Sequence, residues 1–165
     1  MLSPALGASR SATVGLCANS PTNLADPEPL WLTRVAIDLL HHDQLVEHGG
    51  LSGIRDENAI EPALARPRNR WMYETTRDVA ELAAAYCHGF ARGHPYVDGN
   101  KRTGFLAMAA FLDMNGLELT ATDEGVVDLV RGVAAGSVSE TELVAWIRAN
   151  VRRTFAGERP ASDAI

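Results

Sequence analysis

The chain has 165 residues, 46% hydrophobic and 22% charged, a mixture that fits one globular domain with a sizeable core and excludes a disordered or fibrous protein. Fifteen Lys and Arg against 21 Asp and Glu leave a net charge of −6, so the mean field repels nucleic acid and anionic membrane, and phosphate chemistry requires a local basic cluster. Cys17 and Cys87 form no C-x-x-C pair and no uncharged apolar run reaches the roughly 18 residues of a spanning helix, so a soluble protein of the reducing cytoplasm is expected.

Residues 1–30 are rich in Ser, Ala, Pro and Gly, with only Arg10, Asp26 and Glu28 charged, and read as a flexible N-terminal tail. Pro4, Gly7, Ser9 and Arg10 interrupt its only apolar stretch, so no signal peptide is expected, and an over-long assigned start would give the same composition. From Trp31 the pattern becomes helical. Thr33 can cap a first helix carrying Leu32, Val35, Leu39, Leu40 and Val46 and ending at Gly49 and Gly50. His41, His42 and Asp43 on that helix read as a solvated face, because adjacent helical residues point apart and do not converge on a metal. A second helix starts at Asp56 and carries Ile60 and Leu64, weakened or bent at Pro62. Residues 65–76, with Pro67, Arg66, Arg68, Arg70, Trp71 and Tyr73, read as an exposed loop or short hairpin, either a flap that receives a target loop or an ordinary basic loop.

The third helix spans residues 77–92, with Val79, Leu82, Ala83, Tyr86 and Phe90 on one face and Gly93 as its stop. In the fourth, residues 99–115, Phe105, Leu106, Met108, Ala109, Phe111, Leu112 and Met114 leave almost no polar face, which places it in the middle of a bundle. Thr122 or Asp123 caps a fifth helix whose Val126, Val127, Val130 and Val133 read as core. Ser139 and Glu142 form a capping box for a sixth, carrying Leu143, Trp146, Ile147 and Val151. The expected fold is therefore all-α, a helical bundle around a central hydrophobic helix over residues 31–151, followed by a C-terminal tail, 152–165.

The chemistry concentrates in residues 94–104, His-Pro-Tyr-Val-Asp-Gly-Asn-Lys-Arg-Thr-Gly, at the entry to the fourth helix. A helix N-terminus carries roughly half a positive charge, so Lys101 and Arg102 in the first turn are each disfavoured by roughly 0.3–1 kcal/mol. Local rules are broken where a site demands it. Free backbone N–H groups at Gly99, Asn100 and Lys101, with two cationic side chains, make an anion site, and Gly99 has no Cβ to keep an anion from the backbone. Asp98 reads as a helix N-cap or as a ligand holding Mg²⁺ against phosphates. His94 is a loop histidine bonded to backbone, or a base. Imidazole, carboxylate and anion hole together are the parts that phosphoryl or nucleotidyl transfer requires. The spacing is not G-x-x-x-x-G-K-[ST], so this is not a P-loop.

This segment resembles the signature of the Fic/Doc (Fido) family, and its Asn100-Lys101-Arg102 form resembles the death-on-curing (Doc) toxin branch. The resemblance extends to Trp31-Leu32-Thr33, the Glu47-His48-Gly49-Gly50-Leu51 turn, Gly53-Ile54-Arg55-Asp56 and Ala63-Leu64-Ala65-Arg66-Pro67. It implies that His94 is the general base for a target hydroxyl and that Asp98 binds Mg²⁺. Gly99, Asn100 and Lys101 would form the anion hole, with Lys101 and Arg102 holding ATP phosphates. Tyr96 replaces the usual Phe, and its hydroxyl then needs a partner. Members that transfer AMP have Gly and Arg where this chain has Lys101 and Phe105, and an apolar ring cannot clamp a phosphate.

The Doc branch shares that change, which implies transfer of the γ-phosphate of ATP to a threonine of elongation factor Tu, restrained by a Phd-like antitoxin, with no direct nucleic-acid binding. AMP transfer and a non-catalytic binding module are the alternatives. Arg55 either reaches the phosphates or is a solvated charge. Residues 120–125 match the string of a Fic inhibitory helix but read as an ordinary helix start. An antitoxin segment folding as a helix needs an apolar groove, for which Leu39, Leu40 and Val46 are candidates, core packing being the alternative.

Overall fold

Thr33 accepts the Ala36 N–H on its hydroxyl at 3.2 Å, and from that cap the chain enters a succession of helices. The computed structural model describes residues 27–74 and 78–154. Within them lie α1 (Arg34–His48), α2 (Glu57–Tyr73), α3 (Val79–Gly93), α4 (Asn100–Met114), β1 (Leu117–Leu119), α5 (Asp123–Ala135), α6 (Glu140–Ala149) and β2 (Val151–Arg153). The all-α class holds, with one two-stranded antiparallel pair added. The tail expectations for residues 1–26 and 155–165 lie outside the described residues, as does the start expected for α3 at Arg77. None of the described helices is long and apolar enough to cross a membrane.

Caps fall where side-chain chemistry puts them. Ser139 and Glu142 complete their capping box, Thr122 starts α5, and Asp56 and Asp78 each accept an N–H two residues on. The heart is the antiparallel pair α3 and α4, with Ala91 beside Gly104 and the Tyr86 ring 5.1 Å from Phe111. α3 is the more enclosed of the two, with Leu82, Ala83, Ala84, Tyr86, Cys87 and Phe90 fully buried. Residues 105–112 of α4 are all apolar, yet Phe105 and Leu106 are half-buried, and Met114 beyond them is exposed. Gly104 sets the spacing: a Cβ there would lie 2.8 Å from the Cys87 carbonyl oxygen and 3.1 Å from Ala91 N. The two backbones nearly touch.

Three expectations are corrected. Residues 65–73 are helix, not loop or hairpin: α2 runs through both Pro62 and Pro67. Each proline removes a helical hydrogen bond and costs about 3 kcal/mol, but Ile60, Ala63 and Pro67 form one buried stripe, and Gly89 of α3 lets the Ala63 backbone approach closely. The arginines expected in a flap or an ordinary basic loop instead tie α2 down: Arg66 and Arg70 reach Glu140 of α6 at 2.7 and 2.8 Å, and Trp71 meets Trp31 edge-on at 6.3 Å.

The second correction concerns α1, whose inward face is Ile37, His41 and Gln44, while Val35, Leu39 and Val46 are exposed. His41 therefore leaves the solvated face to which adjacency assigned it. Third, the boundary expected at Val151 falls inside β2, which continues through Arg153 and pairs Glu118 with Arg152 through bonds of 2.9 and 3.0 Å. The main chain is also fastened at both sides of the α4 end. Leu30 exchanges two hydrogen bonds with the Asn115 amide, and Thr154 N–H donates to the Gly116 carbonyl at 3.0 Å.

Burial pushes the Cys87 thiol up to about 12, with the Glu140 charge adding to it, so almost no thiolate exists at neutral pH. A Cys17→Ser protein should therefore take up no iodoacetamide while folded and one equivalent in denaturant. Rapid labelling of the native protein would show that the α3–α4 contact opens.

Candidate active site

The end of α3 imposes the first constraint. Gly93 is its last helical residue, and the turn falls on His94, which takes left-handed φ 48° and ψ 49°. Among the described residues His94 is the one non-glycine at positive φ. Such a conformation costs of order 1 kcal/mol and persists only where neighbours fix it. They do so here. The Pro95 carbonyl accepts the Arg55 and Asp56 N–H groups at 2.8 and 2.9 Å, and Val97 N–H donates to the Gly53 carbonyl at 2.9 Å. Ile54 and Tyr96 form an isolated antiparallel bridge.

Tyr96 is buried, and its hydroxyl donates to Asp38 Oδ1 at 2.9 Å, supplying the partner that replacement of Phe demands. The Asn100 side chain is committed to the turn: its Oδ1 accepts Tyr96 N–H at 2.9 Å, and its Nδ2 donates to Tyr96 O at 2.8 Å. What Asn100 can offer a ligand is its backbone N–H.

The helix start differs from expectation in two respects. The N-cap of α4 is Gly99, at φ 75°, and not Asp98. The Asp98 carboxylate instead accepts Gly99 N–H on Oδ1 at 2.6 Å and Leu51 N–H on Oδ2 at 3.4 Å. Those two donors, with Arg102 nearby, hold its pKa below the usual carboxylate range, so Asp98 is an exposed anion at neutral pH. Gly99 N–H is thus already engaged, and the donors left open at the helix start are Asn100, Lys101 and Arg102. The missing Cβ of Gly99 also serves another neighbour. It would lie 2.2 Å from Gln44 Nε2 and 3.3 Å from His41 Cε1, so glycine is required by positive φ and by close packing on α1.

His94, Val97, Asp98, Gly99, Asn100, Lys101 and Arg102 line one cavity of about 370 Å³. Six of the seven site residues expected from sequence are therefore brought together, and Arg55 is not among the lining. Arg55 meets the motif through its backbone, and its side chain is exposed. Lys101 is exposed and makes no ion pair among the described residues, whereas Arg102 donates to the Gly49 carbonyl at 3.0 Å. A second, mostly apolar slot of about 530 Å³ opens between α4 and α5 and shares Lys101 and Arg102. Phe105, Val126, Val127 and Val130 line it, so Val126 and Val127 face a slot where core was expected. Glu124 is an exposed first-turn acid of α5.

Sequence reasoning missed the second layer: Asp38, His41, Gln44 and Thr103. His41 stacks on Tyr96 with centroids 3.7 Å apart and planes 10° from parallel, and its Nδ1 lies 2.9 Å from Thr103 Oγ1. A period of three and four residues through Ile37, His41 and Gln44 was available as a signal, but hydrophobicity steers that choice elsewhere.

Comparison with known proteins gives three likenesses. A model of the Fic/DOC family matches residues 31–112. The "Protein kinase doc" of Escherichia phage P1 is 34% identical over 109 residues, 66% of this chain and 86% of that protein. The "Toxin Doc" of Mycolicibacterium smegmatis is 36% identical over 77 residues, 46% of this chain and 59% of that protein.

Proposed function

This chain belongs to the Fic/DOC family, and on that premise we propose that it is a Doc-like toxin that transfers the γ-phosphate of ATP to a hydroxyl of a translation factor. One cavity carries this reading: it holds His94, the Asp98 carboxylate, the open N–H groups of the α4 start and Lys101 within a single wall. By resemblance the acceptor is a threonine of elongation factor Tu, and restraint comes from a Phd-like antitoxin.

In the proposed step His94 removes the proton of the acceptor hydroxyl as that oxygen attacks the γ-phosphorus. The bond from phosphorus to the bridging oxygen breaks, and ADP leaves with the electron pair. Asn100 and Lys101 N–H groups meet the phosphate oxygens, and the Lys101 ammonium offsets the charge that spreads over them. Arg102 stays anchored on Gly49 and reaches the same oxygens with its remaining donors.

Mg²⁺ takes oxygen ligands, commonly one or two carboxylates plus substrate phosphates, and the ionised, exposed Asp98 at the cavity wall fits that need. When bound, the ion supplies charge neutralisation between phosphate groups. Phe105 supports phosphate over AMP transfer: the position where AMP-transferring members have Arg carries an apolar ring here, although Lys101, Arg102 and Arg131 line the same slot.

ATP labelled at the α or the γ position separates the two chemistries. We expect stable γ-label on elongation factor Tu and none from α-labelled ATP. Stable α-label without γ-label would replace the kinase with an adenylyltransferase, and no label of either kind would favour a binding module.

A further inference from the structure

Two polar side chains of α1 lie beneath the anion site almost sealed from solvent, His41 at 7% exposed and Gln44 at 3%. His41 Nε2 and both polar atoms of the Gln44 amide lack hydrogen-bond partners among the described residues. Buried polar groups are normally satisfied, and an apolar residue at position 41 would be the simpler choice for stability. Burial lowers the His41 pKa and keeps the ring neutral, so it is not held there by an ion pair.

The other ring nitrogen explains its presence. His41 Nδ1 is 2.9 Å from Thr103 Oγ1, and Thr103 Oγ1 donates to the Gly99 carbonyl at 3.1 Å. A hydroxyl has one proton. With that proton on the Gly99 carbonyl, Thr103 must accept from His41, so Nδ1 carries the hydrogen and Nε2 the lone pair. The Gly99 carbonyl also accepts Thr103 N–H at 2.9 Å.

That carbonyl belongs to the same rigid peptide unit as the Asn100 N–H, which points the opposite way. Pinning the oxygen toward Thr103 aims the Asn100 N–H out of the helix start and into the 370 Å³ cavity. Stacking on Tyr96 fixes the imidazole plane, and with it the direction of the Nδ1–H bond. We propose that His41 is a positioning residue: through Thr103 it locks the Gly99–Asn100 peptide so that the Asn100 N–H is preset for a phosphate oxygen. This rests on the phosphate-binding reading of the site given above.

The test uses the full chain and inorganic tripolyphosphate, titrated by calorimetry, with thermal midpoints measured in parallel. His41→Phe keeps the stacked ring and removes the donor. His41→Asn loses the ring but places an amide N–H near the old Nδ1, and Thr103→Val removes the relay. One hydrogen bond transmitted to the ligand corresponds to about threefold to tenfold in affinity. We expect His41→Phe and Thr103→Val each to weaken tripolyphosphate by that factor without lowering the thermal midpoint, His41→Asn to restore part of it, and the double variant His41→Phe, Thr103→Val to be no worse than either single.

Unchanged binding in a folded His41→Phe protein would overturn the proposal, as would additive losses in the double variant. A fall in thermal midpoint that matches the loss of affinity would overturn it too, by making His41 purely structural. Absence of tripolyphosphate binding by the parent chain would instead strike at the phosphate-binding reading itself, so the two failures are distinguishable.

Discussion

His94→Ala should transfer no measurable label to its target and no longer arrest growth, a loss of about 10²- to 10⁴-fold from removal of a general base. Folding should survive. The His94 imidazole is half-buried and makes no hydrogen bond or ion pair among the described residues, so the segment is held by its backbone and by Tyr96 and Asn100. Ala is strained at φ 48°, so His94→Asn, which tolerates left-handed backbone better, separates lost chemistry from lost geometry. Both variants should be inactive with far-ultraviolet circular dichroism like that of the parent. A toxic, label-transferring His94→Ala protein would sink the mechanism.

Gly104→Val should cost about 3 kcal/mol or more and lower the thermal midpoint by roughly 6–12 °C. The new Cβ would meet backbone atoms on α3, the Cys87 oxygen at 2.8 Å and Ala91 N at 3.1 Å, and backbone inside a helix cannot rotate aside as a side chain can. Relief requires α4 to move away from α3, which loosens Met108 and Phe111 from the core. Scanning calorimetry reads this directly. An unchanged midpoint would show that the two helices are not in such close contact.

Helix starts were legible because capping is local: Thr33, Thr122 and the Ser139–Glu142 box act within three residues of themselves. The string from His94 to Gly104 was legible for a similar reason, since base, carboxylate and helix start are neighbours in the chain. What anchors that string was not. Tyr96 finds Asp38 across 58 positions, and Thr103 finds His41 across 62, so no periodicity within one segment reveals either pair.

α1 misled because its apolar residues Val35, Leu39 and Val46 face outward while His41 and Gln44 face in. The inward choice is dictated by Gly99, whose bare α-carbon admits the Gln44 amide. α2 misled because two prolines outweigh local propensity until the buried stripe of Ile60, Ala63 and Pro67 meets α3. The exposed row on α1 leaves those apolar side chains open to a partner, in keeping with an antitoxin segment under the proposed function.

The bonds from Leu30 to Asn115 and from Thr154 to Gly116 bring both described ends of the chain to a single corner. That corner is at the C-terminal end of α4, a helix of 15 residues, so it stands about 22 Å from the open N–H groups at the other end. Leu30 and Thr154 therefore both lie on the side remote from His94 and Asp98. Because Leu30 and Thr154 are adjacent, a short linker joining them in a chain trimmed to residues 30–154 closes a ring at little entropic cost, which makes the described domain a natural substrate for circular permutation.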